Sequence, residues 1–314
     1  MSVQVRSCVR SLTTVSGTVL PCHSELVSLN RHGRFDILRQ RHRIDTFLPH
    51  SVEFGFFLDP HRFRDAALQV VSFGDFSRPS PAVLSAVYLW GAHLSRSEHL
   101  LGQERALMVR ALQCAATDLL GDHPDAVLHR LQADVLFAYY FLRTGRFLQA
   151  KFHSSSAASL ALAAGLHQIG SPLEGQSILG LSSDQAIYLP PPRDAVEERE
   201  RVNGFWNVLV LHKYMMIALE PPTSVCGSLE APGMQFVTPL PAHPSALDSE
   251  TGSSAGTLRT LQIPRDNSPS ESSGGDQPGR SIIAMNVQAA ILLHRSAQLT
   301  GQWVPSMSFA RCEV

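Results

Sequence analysis

The sequence predicts an all-α fold: a multi-helix domain with antiparallel helical hairpins, then a disordered Ser/Gly/Pro-rich linker. Three observations predict it. Apolar residues recur at the helical period in separate runs at Pro81–Leu94, Glu98–Leu120, Pro124–Thr144, Phe147–Ala164 and Asp194–Leu219. That spacing lines one face of a helix, where a half-buried strand would alternate. Glycine and proline punctuate the gaps, at Gly121, Gly145, Gly165 and Pro221-Pro222. Between Pro241 and Arg280, eight Ser, five Gly and five Pro occupy forty positions, with almost no aromatic or branched apolar residues. Such a stretch cannot bury enough surface to offset its ordering entropy.

Residues 1–43 lack sustained periodicity and read as an irregular basic segment. Their patch, Arg31 to Arg43, holds five arginines and one acid, Asp36. Phe54-Gly-Phe-Phe-Leu58 is a short apolar segment suited to packing on a helical body. Asp59-Pro60 opens a short helix through Phe63 and Leu68, since proline is favoured in a first turn. Pro81–Leu94 places Leu84, Val87, Gly91 and Leu94 on one stripe, with Trp90 on its flank. Glu98–Leu120 repeats apolar residues at Leu100/Leu101, Leu107/Met108, Ala111/Leu112, Ala115 and Leu119. Gly121 ends it, and Asp122 with Pro124 opens the next helix.

That helix turns Val127/Leu128, Leu131, Val135, Ala138/Tyr139 and Leu142 inward. Only a few residues around Gly145 separate it from Phe147–Ala164, which predicts an antiparallel hairpin. After Gly165 comes a loop of about 28 residues, long enough to be functional or disordered. Asp194 is placed as an N-cap with Glu197 in capping-box position. The helix it opens runs to about Leu219 or Glu220, stopped by Pro221-Pro222, about 39 Å at roughly 1.5 Å per residue. Ser281–Leu299 resumes helical periodicity through Ile282, Met285 and Leu292/Leu293. Trp303 and Phe309 beyond it lack an obvious partner element, so the 281–314 segment reads as truncated. The resulting organisation is 1–43, 44–241, 242–280 and 281–314.

Hydrophobic residues make up 44% and charged residues 17% of the 314, with net charge −1 and pI about 6.9. That balance suits a globular chain and gives no global field toward nucleic acid or anionic membrane. The five cysteines (Cys8, Cys22, Cys114, Cys226, Cys312) are scattered and odd in number, unlike a secreted disulfide framework. Cys114 reads as a small apolar core residue in a reducing interior. No apolar run approaches the roughly 18–20 residues that span a bilayer. The N-terminus, with Arg6, Arg10 and no acid before Glu25, is mildly transit-peptide-like. Its arginines line no clear helical face, and a gene-model artefact there is the preferred reading.

The string Arg78-Pro-Ser-Pro-Ala-Val-Leu-Ser-Ala-Val-Tyr-Leu-Trp-Gly-Ala-His-Leu-Ser95 resembles the regulatory domain of fungal zinc-cluster transcription factors, in its basidiomycete form. Four further segments fit in the same order. They are Leu131-Gln-Ala-Asp-Val-Leu-Phe-Ala-Tyr-Tyr-Phe-Leu142, Gly145-Arg-Phe-Leu148, Leu160-Ala-Leu-Ala-Ala-Gly-Leu-His-Gln-Ile169 and Pro190 through Trp206. The resemblance covers roughly residues 44–241. It implies an all-helical, nuclear module that modulates RNA polymerase II transcription through intramolecular or coregulator contacts and admits a small-molecule effector. Full-length members bind DNA through a six-cysteine zinc cluster; this chain has no Cys-x-x-Cys, and Cys8 with Cys22 cannot supply six thiolates. Zinc is therefore implied for a full-length member only, and DNA contact only through a missing cluster or a partner. The family's Glu-Glu-Gly-Glu-Arg reads Glu197-Glu-Arg-Glu-Arg201 here, and its Thr-Pro-Trp-Pro reads Thr238-Pro-Leu-Pro241.

No catalytic, cofactor, metal or DNA-binding residue is assigned from the sequence. The nucleophile-elbow match Gly252-Ser-Ser-Ala-Gly256 sits in the linker with no strand before it, where the strained turn that chemistry needs is missing. Among fourteen histidines, His93, His99, His123 and His129 lack the i, i+4 pairing with glutamate of a zinc helix. His167 and His212 are expected to satisfy local hydrogen bonds or face solvent. The acids Glu197–Glu200, interleaved with Arg193, Arg199 and Arg201, read as a solvated helix start that complements the helix dipole. Trp90, Phe205 and Trp206 read as core rather than as a ligand pocket. The arginine patch reads as a solvated tail with a nuclear-import role as the functional option. The expectation is a non-enzymatic nuclear regulator with protein partners and no membrane contact; the alternative is a helical-repeat-like interaction module not tied to transcription. Against the alternative, no 34-residue self-similarity appears.

Overall fold

The computed structural model of the 314-residue chain describes residues 33–95, 97, 102–170, 189–219, 229, 236–241 and 281–302. Among these residues the secondary structure is helical and contains no strand. The α-helices are α1 (Gly33–Phe47), α2 (Pro60–Ala67), α3 (Pro81–His93), α4 (Glu104–Asp118), α5 (Ala126–Arg143), α6 (Phe147–Ala163), α7 (Ala195–Leu219) and α8 (Ile282–Gln302). Short 3₁₀ turns follow α1 (Leu48–Phe54) and α6 (Leu166–Gln168).

Helix α3 is the centre of the body, touching α1, α4 and α5. Its residues from Ala82 to Ala92 are all buried. The stripe expected at Leu84, Val87 and Gly91 is thus one part of a helix covered on every side, as a central helix must be. Asp118 at the end of α4 closes its N-terminus: Ser80 Oγ donates to Asp118 Oδ2 at 2.8 Å, and Ala82 N reaches Asp118 Oδ1 at 3.4 Å. Helices α5 and α6 pack together, α6 leans on α7, and α7 carries α8.

Residues 33–43, expected to be irregular, form the first part of α1, so the boundary at 43/44 falls inside a helix. The local signal is weak because only Ile44 and Phe47 anchor the described end of α1, both fully buried. What holds α1 is its crossing with α3 at Gly91. A Cβ built there would sit 2.1 Å from the Arg43 carbonyl oxygen, so only glycine lets the two backbones come this close. Arg43 itself, expected in a solvated tail, is buried and donates from Nη2 to Gln103 Oε1 at 2.7 Å.

The apolar segment 54–58 packs on the body as expected, with Phe54, Phe56, Phe57 and Leu58 buried. Phe54 stacks on Trp90 with centroids 3.9 Å apart. An extended buried segment needs partners for its backbone. Gln132 supplies them: its Oε1 accepts from Phe57 N at 2.7 Å and Leu58 N at 3.4 Å, and its Nε2 donates to Gly55 O at 3.3 Å. Gly55 turns the chain at φ +67°, in the left-handed region. Asp59 then caps α2, accepting from Arg62 N at 2.9 Å.

Helix α7 opens as expected on Asp194, whose Oδ1 accepts from Glu197 N at 2.8 Å. The return bond differs from a capping box: Glu197 Oε2 accepts from Arg193 N, one residue before the cap, at 3.0 Å. The chain downstream docks by Thr238, whose Oγ1 donates to Leu166 O at 2.6 Å and accepts from Ile169 N at 3.2 Å. Helix α8 forms over the expected range. Its Val287, Ala290, Ile291 and His294 are buried, while the periodic residues Ile282, Met285, Leu292 and Leu293 are exposed. Residues 98–101, the 171–188 part of the long loop, Pro221-Pro222, the 242–280 linker, Trp303 and Phe309 lie outside the described residues.

Cys114 is buried, as its apolar run predicts. It is also disulfide-bonded, which corrects the expectation of a small apolar thiol. Scattered cysteines cannot show which of them the fold brings together; tertiary proximity decides that.

Candidate functional site

The turn between α4 and α5 assembles a group that sequence spacing did not pair. His123, Asp125 and His129 hold donor atoms that all lie within 4.8 Å of one another. The hydrogen bonds decide what this cluster can do. His123 Nε2 lies 2.8 Å from Arg78 O, a pure acceptor, so Nε2 carries the proton. Its Nδ1 then accepts from Asp125 N at 3.1 Å. His129 Nδ1 accepts from Ser80 N at 3.1 Å, which leaves the ring proton on Nε2. Asp125 pairs with Arg193 Nη2 at 2.5 Å.

Each imidazole lone pair is therefore spent on a backbone N–H, and the carboxylate already faces a guanidinium. A divalent cation would have to displace all three bonds. Burial pushes the His129 ring far below its ordinary range; Asp125 opposes this, while His123 and Arg193 add to it. The ring is neutral and serves as an acceptor tying Ser80 to α5.

A second polar cluster sits between α5 and α6. Asp134 is fully buried and accepts from Arg130 Nε at 3.0 Å and Ser156 Oγ at 2.8 Å, with His153 Nδ1 at 2.7 Å. A buried carboxylate requires such compensation. Ser156 bonds the carboxylate directly rather than through the imidazole, so the order is not that of a nucleophile, base and orienting acid. The arrangement cross-links two helices.

The start of α7 is less solvated than its charges suggest. Glu197 is buried, with Oε2 on Arg193 Nε at 2.7 Å and Oε1 on Arg201 Nη2 at 2.5 Å. Burial raises its carboxyl pKa, but the hydrogen bonds from Arg193 and Arg201 outweigh that and hold it below the ordinary range. Glu200 Oε1 accepts from Asp59 N at 2.7 Å, and burial raises its pKa against that bond. Arg62 reaches Asp194 at 2.9 Å. Of the acids expected to be solvated, Glu198 is exposed, Glu197 is enclosed by Arg193 and Arg201, and Glu200 ties α7 to the start of α2. Folding also brought Arg62 to Asp194 and Asp125 to Arg193 across long stretches of chain.

Trp90 and Trp206 are fully buried core residues, as expected. Each indole N–H has a carbonyl acceptor, Leu136 O at 3.0 Å and Pro239 O at 2.7 Å. Neither lines the small cavity of about 30 Å³ bordered by Gln40, Arg43, Tyr88 and Arg110, which has room for about two waters. His167 and His212 are buried rather than solvent-facing. The Gly252–Gly256 serine match and His99 lie outside the described residues. Sequence reasoning missed Gln132 and Asp118. Each carries one available signal, a polar side chain within or ending an apolar helical stripe. Comparison of the chain with protein-family models, with curated proteins and with solved structures finds no match.

Proposed function

We propose that this chain is the helical regulatory domain of a fungal zinc-cluster-type transcription factor, acting in the nucleus through contacts with another domain or a coregulator. The observation that carries this reading is that the segments resembling that family touch one another. Trp90 of the first bonds Leu136 of the second, and Trp206 of the last bonds Pro239 of the Thr238–Pro241 string. Helices α5 and α6, linked through Gly145, are read as an antiparallel hairpin, with Asp134 bonding both His153 and Ser156 across it. The polar clusters described above satisfy one another, which favours a packing-based mechanism over catalysis. At the start of α6, Phe147, Leu148 and Phe152 stand exposed and form an apolar surface suited to a protein partner. DNA contact is assigned to a partner or to a zinc cluster outside this chain.

A reporter assay tests the proposal. The full chain is fused to a heterologous DNA-binding module in a fungal host and compared with the module alone. Reporter output should change, and Leu148→Asp with Phe152→Asp should abolish the change at equal protein level. Output indistinguishable from the module alone would overturn the regulatory reading in favour of an interaction module outside transcription.

A further inference from the structure

Helix α8 has two apolar faces. One, carrying Val287, Ala290, Ile291 and His294, is buried, and α8 packs on α7. The other points away from the body, with Ile282, Met285, Leu292, Leu293 and Leu299 between 45% and 61% exposed. Ile282, Met285, Ala289, Leu292, Ser296 and Leu299 are spaced by three, four, three, four and three residues. That alternation is the seam by which one helix packs along another. An amphipathic surface helix would instead leave polar residues on its outer side.

Both the charge and the shape of the seam select its occupant. Arg295 is the sole Asp, Glu, Lys or Arg in α8, so the face neither demands an oppositely charged partner nor repels its own copy. Within the seam, large residues flank the small Ala289 and Ser296. Pairing two copies in parallel would set Ala289 on Ala289 and Ser296 on Ser296, leaving hollows. Antiparallel pairing about a two-fold axis midway between Ile282 and Leu299 sets Ala289 against Leu292, Met285 against Ser296 and Ile282 against Leu299. Every small residue then faces a large one, which is what close packing requires. We propose that the exposed face of α8 is a self-association surface, pairing antiparallel with α8 of a second copy of this chain.

The seam is about 26 Å long at roughly 1.5 Å per residue. It is therefore smaller than the ~800 Å² per partner of a standard interface, and the association should be reversible. Sedimentation equilibrium of the full chain between about 1 and 200 µM, a range that brackets micromolar affinity, should show monomer and dimer in exchange. Leu292→Glu should weaken association at least tenfold while leaving the helical circular dichroism and the melting of the monomer unchanged. Ile282→Lys and Leu299→Glu should each weaken it alone. Mixed together they should restore it at least tenfold, because the antiparallel pair places Lys against Glu once and keeps the native contact once. A chain that stays monomeric throughout overturns the proposal, as does a dimer indifferent to Leu292→Glu. A Leu292→Glu variant whose monomer melts earlier shows the face covered by the chain's own segments, and also overturns it. A mixture no tighter than its parents rules out the antiparallel register.

Discussion

Gly91→Ala sets local helix preference against tertiary geometry, and the two predict opposite signs. In the interior of α3, replacing glycine by alanine should stabilise by about 1 kcal/mol on intrinsic propensity alone. The crossing with α1 forbids that gain. The new Cβ would lie 2.1 Å from Arg43 O and 2.6 Å from its carbonyl carbon, atoms of a backbone that cannot rotate out of the way. Relief requires α1 to move by about 1 Å, a gap that forfeits a quarter to a half of each dispersion well it opens. Ile44 and Phe47, both fully buried, each stand for about 1.5–3 kcal/mol of burial. Losing a third of that, added to overpacking strain of about 1–3 kcal/mol, outweighs the propensity gain and leaves a net loss of about 1–4 kcal/mol. Urea unfolding followed by circular dichroism should show the midpoint fall with its slope unchanged. Gly121→Ala is the control, since its Cβ would meet nothing nearer than Asp118 O at 3.6 Å. A Gly91→Ala protein as stable as wild type would refute the close crossing and with it the placement of α1.

Three further outcomes follow from the polar interior. Gln132→Leu strands two backbone N–H groups and a carbonyl of the 55–58 segment, and should cost about 2–4 kcal/mol in chemical denaturation; a loss under 1 kcal/mol would mean water replaces the amide. His129 is held neutral by burial, so the unfolded chain takes up a proton that the folded chain refuses as pH falls below about 6.5. Its contribution is complete above that pH and is lost on acidification, at up to about 1.4 kcal/mol per pH unit. His129→Gln, which keeps an acceptor for Ser80, should flatten the decline between pH 6.5 and about 5, and an unaltered slope would locate the proton elsewhere. Zinc at neutral pH should leave the melting temperature unchanged, because both imidazole lone pairs at His123 and His129 accept backbone N–H groups; a rise abolished by His123→Ala would show that the metal displaces them.

Legibility followed the source of each element's stability. Helices α3 to α7 were visible because their apolar residues recur along the chain itself. Their ends were marked by chemistry that acts locally, as at Asp194 and Gly145. Helix α1 was hidden because it is held at its crossing with α3 rather than by a stripe of its own. The histidine cluster was hidden for a related reason. His123 and His129 have no metal-helix spacing, and their roles depend on Arg78 and Ser80 in a different part of the chain. For Glu197, a run of alternating charge looks the same in sequence whether solvent or Arg201 receives it.

The sequence by itself determined that this chain is helical, where most helices lie and which aromatics belong to the core, because period and punctuation are properties of neighbours along the backbone. Tertiary structure alone decided that α1 exists as a packed helix, that Gln132 and Asp118 complete the backbone of distant segments, and that buried acids at α7 are stapled rather than solvated. Those facts depend on which atoms meet across long intervals of chain. A one-dimensional pattern shows that a face must be covered, and only the packed structure shows what covers it.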